Sequence, residues 1–178
     1  MAQSPEGRAL SEALRSPQTV SADWQSVIPL GIQGVQVKEI RNVAIRSGVL
    51  TECYRPEWFD DPFQAGHVVY MALMAGGVSS WHCHRHQRDV IVAVAGQIRV
   101  GLYDDRPDSS TCGRFKLLNL AAARPMAVRV PPLVWHAIKN PTGEPAAYIV
   151  VNDEPYQYEE PDDWIVPPGS NAIPHSLG

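Results

Sequence analysis

The sequence lacks the features that mark several classes of protein. Its 19 acidic and 15 basic residues are spread along the chain without a long run of like charges, which argues against a nucleic-acid-binding surface. Its longest apolar stretches, 67–77 and 90–96, stop well short of the ~20 residues that a membrane helix needs. Segment 1–15 has no basic region followed by an apolar one, as a secretion signal would. We therefore expect no nucleic-acid or membrane partner and a cytoplasmic location.

Cysteine is also scarce. Cys53, Cys83 and Cys112 form no closely spaced pair, and their odd number fits neither a disulfide framework nor a zinc site, which favours a reducing compartment. A chain of 178 residues can bury an adequate core without such cross-links. Any metal site found here is therefore expected to be functional rather than structural.

What the chain has instead is 16 prolines and 13 glycines between short apolar segments of period two. Such a balance predicts many strands joined by tight turns, hence an all-β antiparallel sandwich or barrel. The strands are expected at 35–40, 43–45, 49–54, 67–74, 90–95, 97–103, 114–120, 127–130, 135–139 and 146–151. We expect three regions: an N-terminal arm (1–33) with a short helix from Ser4 to Pro17, a β-barrel (34–153), and an irregular C-terminal segment (154–178) packed on the barrel.

Three of the six histidines fall within five positions, at His82, His84 and His86. Residues two apart in a strand face the same side, so His82 and His84 can present two imidazoles to one interior point. Asp89 follows after a short connection that can return its carboxylate to that point, and His136 can reach it from a distant strand. Imidazole with carboxylate suits divalent Fe, Mn, Ni or Zn, so His82, His84, Asp89 and His136 are candidate ligands of such a metal. We expect no organic cofactor. The alternative is a metal-free pocket in which the same side chains bind a ligand directly.

The spacing around these residues follows two known signatures. The first runs Gly76, His82, His84, Asp89, Gly96, and the second runs Pro131, Leu133, His136, Asn140. Both resemble the signatures of the cupin superfamily, with Asp89 where Glu is usual and Leu133 where Gly is usual. The resemblance implies a cupin jelly-roll β-barrel, an antiparallel double sheet with an interior cavity that often holds a divalent metal on three histidines and one acid.

A closer resemblance rests on the segment 104–113. Its Asp104, Arg106, Ser109, Thr111 and Gly113 match a hairpin pattern of the dTDP-4-dehydrorhamnose 3,5-epimerase family. Segments 130–137, 156–161 and, weakly, 46–52 are similar to that family as well, so the resemblance covers about 35–175. It implies proton abstraction beside a keto group of a nucleotide-linked sugar by a histidine, and proton donation by a tyrosine on the other face.

On this resemblance His82 falls at the position of the base. The proton donor stays open among Tyr148, Tyr156 and Tyr158, and we name Tyr156 and Tyr158 as the candidates. The chain departs from the family where Ser79-Ser80-Trp81 replaces Arg-Gly-Leu and where Asp89 replaces a lysine that helps to hold the diphosphate. Both changes weaken diphosphate binding unless other cations compensate. Four residues could do so: Arg55, Arg85, Arg88 and Lys139.

Three functions remain open at this point. The first is an epimerase-like or isomerase-like enzyme acting on a keto sugar, and the second is a metal-dependent oxygenase, isomerase or lyase. The third is a non-catalytic small-molecule binder in which Trp81, Trp135 and Trp164 stack on the ligand. For substrate binding we name Trp81, His86, Arg88, Trp135 and Asn140. The expected partners are a small-molecule substrate and a second copy of the chain, as a homodimer.

Overall fold

Short antiparallel strands make up nearly all the regular structure of this protein. The computed structural model describes residues 12–24, 26, 30–167 and 170–178. Its strands are β1 (Gln36–Glu39), β2 (Asn42–Ile45), β3 (Gly48–Thr51), β4 (His67–Leu73), β5 (His82–Cys83), β6 (Asp89–Ala95), β7 (Gln97–Asp104), β8 (Phe115–Ala121), β9 (Met126–Val130), β10 (Val134–Lys139), β11 (Ala146–Asn152) and β12 (Trp164–Ile165). A single turn of 3₁₀ helix covers Pro56–Trp58.

The strands form two facing sheets of five strands each. The first sheet has the order β1-β9-β6-β11-β4 and the second has the order β12-β5-β10-β7-β8. The hairpin β2–β3 is separate from both sheets. This is the jelly-roll double sheet predicted from the period-two pattern and the turn spacing, and the predicted fold class is confirmed.

The core lies between the two sheets. Its fully buried members come from both of them and include Ile91, Leu102, Leu120, Val128 and Ile138. Burial of each such side chain stabilises the fold by roughly 1.5–3 kcal/mol. The core closes one part of the sandwich and leaves room for a cavity where polar residues replace these aliphatic ones.

The segments at the two ends of the chain lie outside the predicted barrel. The predicted N-terminal helix lies mostly outside the described residues, and its described part, 12–17, contains no helix. The C-terminal segment adds the short strand β12, in which Trp164 pairs with Cys83 and Ile165 with His82. The tail is thus joined to the strand that carries the histidines. Among the described residues, no helix has the length and apolar character that a membrane crossing requires.

The hairpin pattern of segment 104–113 has a structural basis. The buried Asp104 carboxylate accepts hydrogen bonds from Arg106 Nε (2.8 Å), Ser109 Oγ (2.6 Å) and Thr111 Oγ1 (2.5 Å). Burial acts to raise the pKa of Asp104, but these donors outweigh it and hold the pKa below its usual range. The motif therefore fixes the turn between β7 and β8.

Candidate active site

A cavity of about 580 Å³ opens between the inner faces of the two sheets. The second sheet and the segment after β5 contribute His82, His84, His86 and His136, whereas β4, β6 and β11 of the first sheet form the opposite wall, with His67 on β4. It is lined by His67, Val69, Met71, Ser79, His82, His84, His86, Gln87, Asp89, Ile91, His136, Ile138, Tyr148, Val150, Asn152, Glu154, Pro155, Tyr156, Gln157, Asp162 and Asp163. The mixture of apolar wall and convergent polar groups is typical of a small-molecule site.

The predicted metal-ligand residues meet inside this cavity. β5 and β10 pair so that His82 lies directly opposite His136, and their ring centroids are 4.1 Å apart. His84 lies 5.7 Å from His82 by ring centroids. Candidate ligand atoms of His82, His84, Asp89 and His136 all lie within 4.8 Å of one another. The alternation of the strand and the return of Asp89 place these four groups at one point, as the sequence predicted.

Each of the three rings is held in the same way. Nδ1 of His82 lies 2.9 Å from the Ser80 carbonyl, Nδ1 of His84 lies 2.7 Å from that of Asp162, and Nδ1 of His136 lies 3.1 Å from that of Val134. A carbonyl only accepts, so every Nδ1 carries the proton. In a neutral ring, Nε2 is then a bare acceptor available to the cavity.

Asp89 is the centre of the cluster. Its Oδ1 accepts hydrogen bonds from Gln87 Nε2 (2.9 Å) and Asn152 Nδ2 (2.7 Å). Its Oδ2 lies 3.2 Å from Nε2 of His84 and 3.2 Å from Nε2 of His136. Two acceptor nitrogens cannot face a carboxylate oxygen without positive charge between them, so the arrangement demands a proton or a metal cation.

Without a metal, His84 takes that proton. Burial acts to lower the pKa of His84, but its hydrogen bond to Asp89 and the Asp89 charge outweigh burial and raise the pKa to about 9. Burial likewise acts to raise the pKa of Asp89, whereas its contacts with His136 and His84 bring the pKa well below the usual range. His84 and Asp89 therefore form a buried ion pair at neutral pH.

The pKa of His82 is shifted in the opposite direction from that of His84. Burial, together with the neighbouring His136 and His84, lowers the pKa of His82 to about 3. The ring is neutral at physiological pH, with Nδ1 bonded to Ser80 and Nε2 free to accept a proton. The shift arises because the ring is buried among other imidazoles.

The C-terminal segment holds the turn that leads from His84 to Asp89. The Asp162 carboxylate accepts hydrogen bonds from the backbone N–H groups of Arg85 (2.9 Å), His86 (2.7 Å) and Gln87 (3.2 Å). The Asp162 carbonyl also accepts the Nδ1–H of His84. One residue of the tail thus fixes both a ring and the connection that returns Asp89 to the cavity.

Tyr148 faces the histidines from the opposite sheet. It lies on β11 beside a register shift at Ala147/Tyr148, and its side chain is buried in the cavity wall. Burial, followed by the charge of Asp89, raises the pKa of Tyr148 to about 12, which keeps the hydroxyl protonated. Among the described residues, no hydrogen-bond partner occupies that hydroxyl.

The predicted tyrosines are placed less favourably. Tyr156 lines the cavity near its mouth and is 41% exposed, whereas Tyr158 is 87% exposed and lies outside the lining. Their rings contact each other edge to face, with centroids 5.2 Å apart. Tyr148, which the sequence left open, is therefore the better-placed donor.

Four of the five predicted substrate-binding residues lie away from this cavity, and only His86 lines it. Trp81 precedes His82 and Trp135 precedes His136, so strand alternation turns both rings to the other face of the sheet. Arg88 precedes Asp89 and is turned outward in the same way, where it binds Asp153 and Asp61. Asn140 is buried and donates to the carbonyls of Met74 and Glu144 within a turn. None of the four lines this cavity, so their predicted role in substrate binding stays a prediction.

Sequence reasoning did not single out Gln87, Asn152 or Asp162. Asn152 and Asp162 lie 63 and 75 to 78 positions from the groups they bind, a separation that only the fold reveals. Asn152 does have a local signal, since it shares the inward face of β11 with Tyr148 and Val150.

An antiparallel jelly roll with a histidine-lined interior cavity is typical of proteins of the cupin-type fold that bind small molecules. No family model matches the chain. Over 137 residues it is 32% identical to the "Probable low-salt glycan biosynthesis epimerase Agl13" of Haloferax volcanii, covering 76% of this chain and 88% of that protein. The chain therefore belongs to the family of this glycan biosynthesis epimerase.

Solved structures agree with this relationship. A dTDP sugar isomerase from Desulfovibrio desulfuricans superposes with a TM-score of 0.76 at 25% identity, over 85% of this chain and 95% of its own. ChmJ, a 3'-monoepimerase from Streptomyces bikiniensis solved with dTDP-quinovose, shares the fold with a TM-score of 0.70 at 23% identity, over 79% of this chain and 73% of its own. The predicted relationship to sugar epimerases of cupin-type fold is confirmed.

Proposed function

We propose that this protein epimerises or isomerises a keto sugar by removing a proton from a carbon next to the ketone, with His82 as the base. One observation carries the assignment. Of the three clustered imidazoles, His82 alone has no ring nitrogen in contact with the Asp89 carboxylate, and its Nδ1–H is anchored on the Ser80 carbonyl. Its Nε2 is therefore the acceptor available to a substrate.

The remaining groups support this chemistry. Proton abstraction next to a ketone produces an enolate, whose negative charge favours nearby cations and raises the proton affinity of His82 as it forms. The imidazolium of His84, in the same cluster as His82, supplies such a charge. Tyr148 lies on the facing sheet and stays protonated, so it can return a proton to the other side of the sugar. Delivery of the proton to the opposite face inverts the configuration of that carbon.

Hydrogen exchange tests the proposal. A 4-keto-6-deoxy sugar, offered both linked to dTDP and as its methyl glycoside, is incubated with the protein in deuterated water. We expect deuterium at a carbon flanking the ketone, detected by NMR. Absence of label from both forms would overturn the proposed function.

A second candidate function, a metal-dependent enzyme, is favoured by the contact of Nε2 of His84 and of His136 with one Asp89 oxygen. The four residues fit a divalent cation: three imidazoles have Nδ1 bonded to carbonyls, and one carboxylate oxygen faces inward. His82, His84, Asp89 and His136 would hold the ion. A bound ion would supply Lewis-acid polarisation of a substrate oxygen.

Metal analysis tests this candidate. Protein purified without a metal-affinity tag is expected to contain Fe, Mn, Ni or Zn, and added metal is expected to raise its melting temperature. Less than about 0.1 ion per chain, together with no thermal shift on addition of these metals, would exclude the metal function.

We further propose that the protein is a homodimer joined through the β2–β3 hairpin. This hairpin belongs to neither large sheet and exposes Val43, Ile45, Val49 and Leu50 by 46–65%. An isolated two-stranded hairpin is marginally stable in water. A second copy of the chain would bury these side chains.

A further inference from the structure

We propose that the protein binds a neutral oligosaccharide in a groove on the outer face of the second sheet, separate from the cavity that contains His82. The groove has a volume of about 580 Å³. Cys83 and Trp135 line it, and each alternates with the inward-facing histidines along its strand, so the groove lies on the other side of β5 and β10. Binding there is a second function that does not depend on the proton abstraction proposed for the cavity.

Two tryptophans line the groove on either side of a small residue. Trp164 pairs with Cys83 across β12 and β5, and the pairing of His136 with His82 places Trp135 beside Cys83 on its other side. The two tryptophans are therefore two strand spacings apart, or about 10 Å. Since the Cys83 side chain between them is small, a ligand can contact both indole groups.

Leu133 adds an apolar side chain to the groove from an unfavourable backbone conformation. It is 46% exposed, and its φ is +63. Glycine adopts this left-handed conformation without strain, whereas leucine rarely does. Ile165, which is 61% exposed, extends the same apolar surface. Exposed apolar side chains gathered in one groove are typical of a binding surface.

Charged groups of both signs border this apolar surface. The lining contains two arginines and two aspartates: Arg85, Arg106, Asp105 and Asp108. The Arg85 guanidinium lies 3.9 Å from the ring centroid of Trp164, and the aspartates belong to the turn between β7 and β8. Guanidinium groups donate hydrogen bonds and carboxylates accept them, so both can bind hydroxyl groups. Two charges of each sign favour a neutral polar ligand over a strongly charged one.

The walls of the groove are held in place by hydrogen bonds within the protein. Arg106 donates to the Asp104 carboxylate (2.8 Å) and to the Gln33 carbonyl (2.6 Å). The backbone N–H of Leu133 donates to the His84 carbonyl (2.7 Å). A ligand therefore meets a preformed site, which lowers the entropic cost of binding.

The division between apolar surface and polar border matches a chain of pyranose rings. The flat faces of such a ring carry C–H groups, which pack on aromatic side chains, and its edge carries hydroxyl groups, which bind charged and amide groups. The volume of the groove lies within the range of small-molecule sites, roughly 300–1,000 Å³. A short oligosaccharide is thus the ligand that the groove fits.

Titration of the tryptophan fluorescence of the full chain tests the proposal. The probes are maltohexaose, cellohexaose and mannohexaose, with thymidine as a planar ligand of another class. We expect at least one hexasaccharide to bind with a dissociation constant of roughly 1 mM or below. If none of the three changes the fluorescence, the proposal is overturned. Tighter binding of thymidine than of any hexasaccharide, abolished in Trp135→Ala, would also overturn it.

Three variants locate the bound sugar. Trp135→Ala should weaken binding by roughly tenfold or more, because an aromatic contact is lost. Trp24→Ala makes the same replacement at a tryptophan that is 77% exposed and outside the groove, and should bind as the wild type does. His82→Asn, which alters the other cavity, should also bind normally. Wild-type affinity in Trp135→Ala, or loss of binding in His82→Asn, would place the sugar elsewhere and overturn the proposal.

Leu133→Gly provides a variant that suits the backbone. Glycine is compatible with a φ of +63, so the fold should persist while the dissociation constant rises by roughly threefold or more through the loss of apolar contact. An unchanged dissociation constant in this folded variant would contradict the proposal. Light scattering supplies a further check, since dissociation of an oligomer in Trp135→Ala would show that a second copy of the chain covers the groove, and would overturn the sugar site.

Discussion

At the scale of single residues, the tyrosine on β11 separates two steps of the proposed reaction. Tyr148 is buried opposite the histidines, and its raised pKa keeps it a proton donor. We expect Tyr148→Phe to retain deuterium exchange, which needs only the base, while net inversion of the sugar falls by roughly a hundredfold or more. NMR of the label and of the product stereochemistry measures both rates.

The matched control is Tyr158→Phe, since Tyr158 is 87% exposed and lies outside the cavity lining. Its rates should equal those of the wild type. If Tyr148→Phe inverts the sugar as fast as the wild type does, Tyr148 is not the donor, and Tyr156 at the mouth becomes the remaining candidate.

The sequence predicted side-chain positions where strand alternation determines which side chains face inward. It did not predict hydrogen-bond partners that are distant in the sequence. Strand alternation places His82, His84 and His136 inward and, by the same rule, turns Trp81, Trp135 and Arg88 outward. Leu133 shows another limit. Leu133 occupies the position where the second signature usually has glycine, and its φ is +63. Leucine rarely adopts this left-handed conformation, so the sequence did not predict it.

At the scale of elements, the C-terminal segment fixes the histidine strand. Asp162→Ala removes the acceptor of three backbone N–H groups and should free the turn 85–88. We expect the free energy of unfolding to fall by about 1–3 kcal/mol and exchange activity to fall as Asp89 loses its position. Urea unfolding and the deuterium assay measure the two effects.

Glu160→Gln is the control for Asp162→Ala, because Glu160 is exposed and lies outside the cavity lining. It should change neither quantity. Wild-type stability in Asp162→Ala would show that the turn holds its shape without the tail.

The β2–β3 hairpin carries the proposed interface between two copies of the chain. Val43 and Leu50 lie directly across from each other, exposed by 52% and 59%. Leu50→Lys places a charge in the proposed interface and should convert the dimer to a monomer in light scattering after gel filtration. Val68→Lys, on the exposed edge strand β4, should leave the dimer intact; the reverse pattern would move the interface to β4.

At the scale of the whole molecule, the sequence predicted the double sheet well because its strands alternate cleanly and its turns are rich in glycine and proline. It predicted the cluster of three histidines and Asp89 because local spacing determines which side chains face inward. It did not predict Asp162, Asn152 or the pairing of β12 with β5, since these contacts join segments that only the folded chain brings together.

The buried charges also make stability depend on pH. His84 has its pKa raised from 6.5 to about 9, so its contribution is fully present below pH 6.5 and is lost as pH rises through 9. His82 has its pKa lowered to about 3, so stability falls as pH drops from 6.5 towards 3. Stability should therefore peak near pH 6.5.

The size of the alkaline loss can be checked directly. Between pH 6.5 and 9.5, in the presence of EDTA, we expect the free energy of unfolding to fall by about 3 kcal/mol. Most of the fall should be absent in His84→Asn, which cannot take up the proton, and the remainder comes from thiols such as Cys83, whose pKa burial raises to about 11. A flat profile for the wild type over this range would contradict the His84–Asp89 ion pair.

The central claim is that His82 removes the proton next to the ketone. The most direct measurement is the rate of deuterium incorporation from heavy water into the keto sugar by the wild type, by His82→Asn and by His175→Asn. His175 stacks on Phe115 and lies outside the cavity lining. The account predicts that His82→Asn loses incorporation by at least about a thousandfold while remaining folded, and that His175→Asn retains it. Incorporation by His82→Asn at the wild-type rate would contradict the account.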